Sequence, residues 1–325
     1  MKRFNRKIEE FEEIYYKTKN SNLYFYLQEV ENIVDSPYSY VNGRKMLMLS
    51  GYSYLGLIGH PLINEYAINA INKYGTGTQG VRILAGTEKI HNELENTIAT
   101  FKKREDCIVF SSGYVTNLAT ISTLFGKNDV VICDKLDHAS IVDGCLLSGA
   151  EFLRFNHNDL EDLERNLKKT IDKKTRAVII DAVYSMDGDI APLPEIVKLT
   201  KKYDAILMVD EAHSLGVLGE NGLGIEEYFG MENQVNILMG TLSKVIPSVG
   251  GYIAGSKKNI NYLKHNARAF VFSAALPPPS CAAAIAAFKV IKEEKWRIKK
   301  LTDNIEYFIS NLKKSGFNTL NSQTA

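Results

Sequence analysis

The 325-residue chain lacks a charge bias: 39 basic residues stand against 38 acidic ones, a formal net charge of +1. So even a balance gives no electrostatic case for nucleic acid as a partner. The lysine pairs Lys102–Lys103, Lys173–Lys174 and Lys201–Lys202 are spread along the chain and read as solvated faces. Cysteine is scarce. Cys107, Cys133, Cys145 and Cys281 form no C-x-x-C pair, so neither a zinc site nor a disulfide framework is suggested. No other metal-ligand cluster is legible, and no metal is expected. The first twenty residues, MKRFNRKIEEFEEIYYKTKN, lack the apolar core of a signal peptide. No uncharged apolar run reaches membrane-spanning length. A cytoplasmic protein without a membrane span is therefore the expectation. Internal repeats and low-complexity segments are also missing.

What the chain does have is apolar content of 45% with 24% charged residues, enough to bury a sizeable core. Residues 1–45 read as an N-terminal arm, helical at first and then irregular. HPLINEYAINAINKY reads as a helix with Pro61 in its first turn. TEKIHNELENTIATF is another, with Ile90, Leu94, Ile98 and Phe101 on one face. Short apolar runs then alternate with amphipathic stretches: CIVF, DVVICD, RAVIIDAVY, AILMVDEAH, VNILMG and GGYIAGS. Continuous apolar strands separated by helices predict an α/β fold, a mostly parallel sheet with helices on both faces. Ligands of such sheets bind beyond the carboxyl ends of the strands. ALPPPS at 275–280 is the clearest break. The expected domains are the arm at 1–45, a large domain at 46–280, and the start of a C-terminal domain at 281–325.

Gly75, Gly77 and Gly80 spell G-x-G-x-x-G within YGTGTQGVRILAG. A dinucleotide fingerprint follows a strand and opens a helix. Here a helical pattern precedes the glycines, and the next helix starts only after Gly86. A glycine-rich turn between helices fits this context better than a nucleotide loop.

The strand ends carry more chemistry. Ser111-Ser112-Gly113-Tyr114 follows CIVF and leads into a helix, a place where free backbone N–H groups can hold a phosphate. His138 follows DVVICD, and Ser185, Asp187 and Asp189 lie in a polar turn after RAVIIDAVY. Asp210 ends a strongly apolar run, with His213 three residues on. Lys244 follows VNILMG, flanked by Thr241, Ser243 and Ser248. Singly, each reads as a cap, a turn or a surface residue. Together they match what pyridoxal 5'-phosphate (PLP) requires: a lysine for its aldehyde, donors for its phosphate and an anion for its ring nitrogen.

The chain resembles the α-oxoamine synthase family of fold-type I PLP enzymes. YLGL at 54–57, GTGTQGVRILAGT, HNELE, SSGYVTNLA, DHASIVDG, YSMDGDIAPL, DEAHSLGVLG, GTLSK with SVGGY, and FSAALPPP occur in family order. The resemblance implies that Lys244 binds the cofactor aldehyde and later acts as a base. Asp210 would pair with the ring nitrogen, His213 with the ring hydroxyl, and His138 would stack on the ring. Gly113, Tyr114 and Thr241 would hold the phosphate, and Ser185 would line the pocket. It implies a PLP-dependent acyltransferase that condenses serine, alanine or glycine with an acyl thioester, losing carbon dioxide to give an aminoketone. It also implies a homodimer, with coenzyme A or an acyl carrier protein as thioester carrier. An aminotransferase or lyase on the same fold, and a non-catalytic partner of an active homologue, are the alternatives. Departures are Ser53, Ile246 with Pro247, and Ala274, which bear on substrate choice. GYSYLG, GVRILAGT and LYFYLQEVE are slightly more like serine palmitoyltransferase-type members than glycine users. A fragment is expected, since the resemblance places most of a C-terminal domain and a carboxylate-binding arginine beyond Ala325.

Overall fold

The computed structural model describes residues 2–34 and 36–325. The chain divides into two compact units, one ending at Gly51 and the other running Tyr52–Ala325. The first holds α1 (Lys2–Asn20) and an antiparallel sheet of β1 (Val30–Asn32), β2 (Tyr38–Val41) and β3 (Arg44–Leu47). The expected irregular stretch is thus a small sheet. Asn42 and Gly43 both have positive φ, 48° and 76°, as a two-residue hairpin turn needs, and Asn-Gly is the local signal for it.

The second unit opens with α2 (Pro61–Tyr74) and α3 (Lys89–Phe101), followed by β4 (Asp106–Phe110), α4 (Gly113–Leu124), β5 (Asp129–Asp134) and α5 (Ala139–Ser148). Next come β6 (Glu151–Phe155), α6 (Leu160–Lys169), β7 (Thr175–Asp181), α7 (Leu193–Lys202), β8 (Ile206–Asp210) and α8 (Ile225–Tyr228). It closes with β9 (Ile237–Thr241), β10 (Gly251–Gly255), α9 (Lys257–Asn266), α10 (Arg268–Val271), α11 (Pro278–Glu293) and α12 (Trp296–Lys314). The seven strands order β4-β10-β9-β8-β7-β5-β6. Only β10 runs against its neighbours. The carboxyl ends of the other six therefore share one edge. β6 was not legible as a strand: EFLRF carries charge at positions 151 and 154, which an edge strand tolerates.

The apolar runs are continuous because both faces of the sheet are buried. Val109, Val178, Ile180, Leu207, Val209 and Leu238 pack in one core, while Ile108, Ile179, Met208, Ile237 and Met239 pack in the other. Adjacent residues alternate between the two, the period of two of a pleated strand. Helices α3 and α11 cover the first face, and α4, α5 and α9 the second. ALPPPS forms the start of α11, with Pro278 in its first turn. That helix packs against α2 and α3 within the larger unit.

Candidate active site

Asp210 is the last residue of β8 and is only 4% exposed. Its Oδ2 accepts from Asn117 Nδ2 at 2.7 Å, and its Oδ1 from the Ala212 N–H at 2.8 Å. No cation lies within ion-pair distance of it among the described residues. Three residues further on, the turn delivers His213. Tyr54 Oη lies 2.7 Å from His213 Nδ1, and Lys244 Nζ lies 2.5 Å from His213 Nε2. Lys244 sits three residues past the end of β9 and is half-buried.

The electrostatics follow from burial. Desolvation pushes Lys244 below the usual lysine range, although the carboxyls of Asp210 and Asp181 pull the other way. Desolvation, with the charge of Lys244 added, pushes His213 down to about 3. The imidazole is therefore neutral at physiological pH. An amine with a depressed pKa beside a neutral imidazole is suited to attack a carbonyl or take up a proton.

Helix α4 opens at this edge. Ser112 caps it, its Oγ accepting from the Val115 N–H at 3.2 Å. The helix start lies so close to the sheet that side chains would not fit: a Cβ on Gly113 would meet Thr241 Oγ1 at 3.0 Å, and one on Gly251 would meet Gly113 Cα at 2.8 Å. Thr241 Oγ1 and Ser243 Oγ are 2.9 Å apart in the same corner. Tyr114 is exposed, and its hydroxyl donates to Asp143.

His138 is the N-cap of α5. Its Nδ1 meets Ser140 Oγ at 2.7 Å, and its backbone N–H donates to Asp181 Oδ2 at 3.0 Å. The ring is exposed and lies edge-on to Tyr114, centroids 6.3 Å apart. Ser185 is exposed in the turn after β7, with Tyr184 buried before it. The strand ends thus bring together Asp210, His213 and Lys244 in direct or near contact, with Gly113, Tyr114 and Thr241 in an adjoining corner and His138 and Ser185 on the open side.

The donor set fits PLP: a half-buried amine, the start of a helix beside two hydroxyls, and a buried carboxylate without a cation among the described residues. Residues 44–325 match the model of aminotransferase class I and II. An 8-amino-7-oxononanoate synthase from Thermoanaerobacter pseudethanolicus is 46% identical, over 94% of this chain and 78% of that protein. A serine palmitoyltransferase from Sphingobacterium spiritivorum is 42% identical, over 92% of this chain and 75% of that protein.

The chain belongs to the α-oxoamine synthase family. It is a fold-type I enzyme and its cofactor is PLP. Among solved members, a serine palmitoyltransferase from S. paucimobilis with a bound PLP–myriocin adduct superimposes with a TM-score of 0.94. That alignment is 35% identical and covers 98% of this chain and 80% of the other. The G-x-G-x-x-G stretch of this family member is no nucleotide loop. Gly75 ends α2 at φ +82°, and the following segment is tied by a Val81–Ala274 bridge.

Four site residues escaped the sequence reading. Asn117 binds Asp210 from the middle of α4, and among the threonines and serine of that helix nothing local marked it out. Ser140, Asp181 and Tyr54 hold the two histidines; nothing local distinguished them from caps and core residues.

Proposed function

We propose that the chain is a PLP-dependent acyltransferase that condenses serine, alanine or glycine with an acyl thioester, releasing carbon dioxide and an aminoketone. The observation that carries this reading is the cluster of Lys244 Nζ, neutral His213 and buried Asp210 at one sheet edge. PLP supplies an aldehyde that joins to an amine and a ring that draws electrons from the amino acid's α-carbon. Lys244 would hold the cofactor through its Nζ and, once the substrate amine has displaced it, would take the α-proton as a free amine. Its depressed pKa leaves more of the amine neutral for that work. Asp210 holds the proton on the ring nitrogen, an ion pair suited to its buried carboxylate. His213 hydrogen-bonds the ring hydroxyl. Gly113 and Tyr114 offer backbone N–H groups to the phosphate, helped by Thr241. Ser185 lines the open side. His138, its own ring set by Ser140, would stack on the cofactor ring and orient the substrate carboxylate or the thioester carbonyl.

A homodimer belongs to the same reading. Ile83, Leu84 and Phe272 are exposed apolar residues on the two bridged segments 75–88 and 272–279, a surface suited to a second copy. The thioester carrier is coenzyme A or an acyl carrier protein. No helix among the described residues is long and apolar enough to cross a membrane, and we place the reaction in the cytoplasm. Relatives named as synthases and a palmitoyltransferase lend no support to a plain aminotransferase, a lyase or a non-catalytic subunit.

The test has two parts. Borohydride reduction of the PLP-loaded chain and peptide mapping should find the cofactor on Lys244; labelling of another lysine defeats the assignment. Mass spectrometry after mixing with a panel of amino acids and acyl thioesters should find an aminoketone. A transaminated product would overturn the reaction.

A further inference from the structure

Tyr54 has no part in the proposed reaction, yet its hydroxyl touches the active couple. The turn that carries it is firmly built. Tyr54 N–H donates to Tyr52 C=O at 2.9 Å, Gly56 N–H donates to Ser53 C=O at 2.9 Å, and Arg297 Nη1 donates to Leu55 C=O at 3.1 Å. Leu55 and Leu57 on either side are buried. A tyrosine placed only for packing would turn its hydroxyl to water. Here Oη ends 2.7 Å from His213 Nδ1, and the opposite ring nitrogen faces Lys244 Nζ at 2.5 Å.

The three groups constrain one another. An ammonium only donates, a phenol donates or accepts, and a neutral imidazole carries one N–H. With Lys244 charged, Nε2 must accept, so Nδ1 holds the ring proton and Tyr54 Oη accepts it. With Lys244 neutral, Oη can donate to Nδ1 and Nε2–H can donate to the amine. With Lys244 charged the ammonium thus dictates the tautomer; with Lys244 neutral the choice falls to Tyr54, the partner of Nδ1. Burial, with Tyr52 beside it, pushes the Tyr54 hydroxyl up to about 12, so it keeps its proton throughout.

We propose that Tyr54 is a positioning residue, whose hydroxyl sets the ring orientation and tautomer of His213 and, through it, the place of Lys244 Nζ. The proposal rests on the assignment of Lys244 as the cofactor lysine, but its main test does not. In the cofactor-free chain with ¹⁵N-labelled histidine, at a pH above the titration of Lys244, wild-type His213 should show the Nε2–H tautomer, with Tyr54 Oη donating to Nδ1. Tyr54→Phe should move both ring nitrogens toward the mixed-tautomer position, while Tyr52→Phe, which touches no histidine nitrogen, should leave them in place. In the loaded enzyme, Tyr54→Phe should lower kcat about five- to tenfold, the weight of one hydrogen bond, with KM for the amino acid unchanged. Should Tyr54→Phe fail to fold, fluorotyrosine incorporated into the wild-type sequence makes the phenol a better donor and should shift the same resonances. Unaltered His213 resonances in the folded variant, or under fluorotyrosine, overturn the proposal. Labelling of a different lysine by borohydride would instead overturn the functional reading and leave the tautomer result standing.

Discussion

Lys102 and Lys244 are both drawn into the protein beside the end of β8, on opposite faces of the sheet. Lys102, at the C-cap of α3, makes a 2.5 Å ion pair with Glu211, and its Nζ also donates to Leu223 C=O. Both side chains are nearly inaccessible. Lys244 faces a neutral imidazole instead, with no carboxylate in ion-pair contact among the described residues. Glu211 follows Asp210 directly, and successive residues at a strand end point to opposite faces. One carboxylate thus neutralises a lysine, and its neighbour is left without a cation. A buried charge with a close partner is a brace. An amine held beside a neutral group has a depressed pKa and is available for chemistry.

The sharpest separation of the two lysines comes from replacing each. Lys244→Ala should abolish turnover, with thermal unfolding close to wild type, because no buried charge loses its direct ion-pair partner. Retained turnover would make Lys244 structural. Glu211→Gln should do the opposite, costing about 3–5 kcal/mol of stability by stranding the Lys102 ammonium, as read from urea unfolding. A loss under 1 kcal/mol would show that the pair is no brace.

Asp210→Asn probes the uncompensated carboxylate. It should slow deuterium exchange at the amino acid's α-carbon by about 3 kcal/mol in barrier terms, the scale of one preorganised electrostatic group. The comparison is made at matched cofactor occupancy. Equal exchange rates would reduce Asp210 to a structural role. The smallest effect belongs to a cluster of intermediate burial, His157 between Asp134 Oδ1 at 2.9 Å and Asp189 Oδ2 at 2.7 Å. Burial alone would lower its pKa, but hydrogen bonds to both aspartates raise it above 6.5. Its contribution to stability is present below pH 6.5 and is lost as pH rises through the folded-state value. His157→Gln should flatten that part of the stability–pH curve; an unchanged slope would exclude the cluster as its source.

Much of the fold was legible because burial on both faces leaves a plain mark. VVIC, VII and ILMV have no polar alternation, and each became a central strand. The edge strand β6 was missed because an edge carries charge. The β2–β3 hairpin was missed although Asn42-Gly43 announces it, since an exposed two-residue turn among weakly apolar residues does not stand out in a search for apolar runs. At the site, residues immediately beyond strands were easy to find, as the strands point at them. Asn117 and Tyr54 come from a helix interior and a distant turn, and only folding brings them within 2.7 Å of Asp210 and His213.

The sequence by itself determined the parallel sheet and the family, and it singled out Lys244, Asp210, His213 and His138 as the candidate chemical set, because residue type and order along the chain are local facts. Tertiary structure alone decided which charges are compensated. Asp210 and Glu211 are adjacent acids in the same motif, and nothing in DEAH says which meets a lysine. That was settled by the helix over each face of β8: α3 carries Lys102 to Glu211, whereas α4 carries only the amide of Asn117 to Asp210. The Coulomb energy of a buried charge depends on distance and solvent access, and both are set by packing.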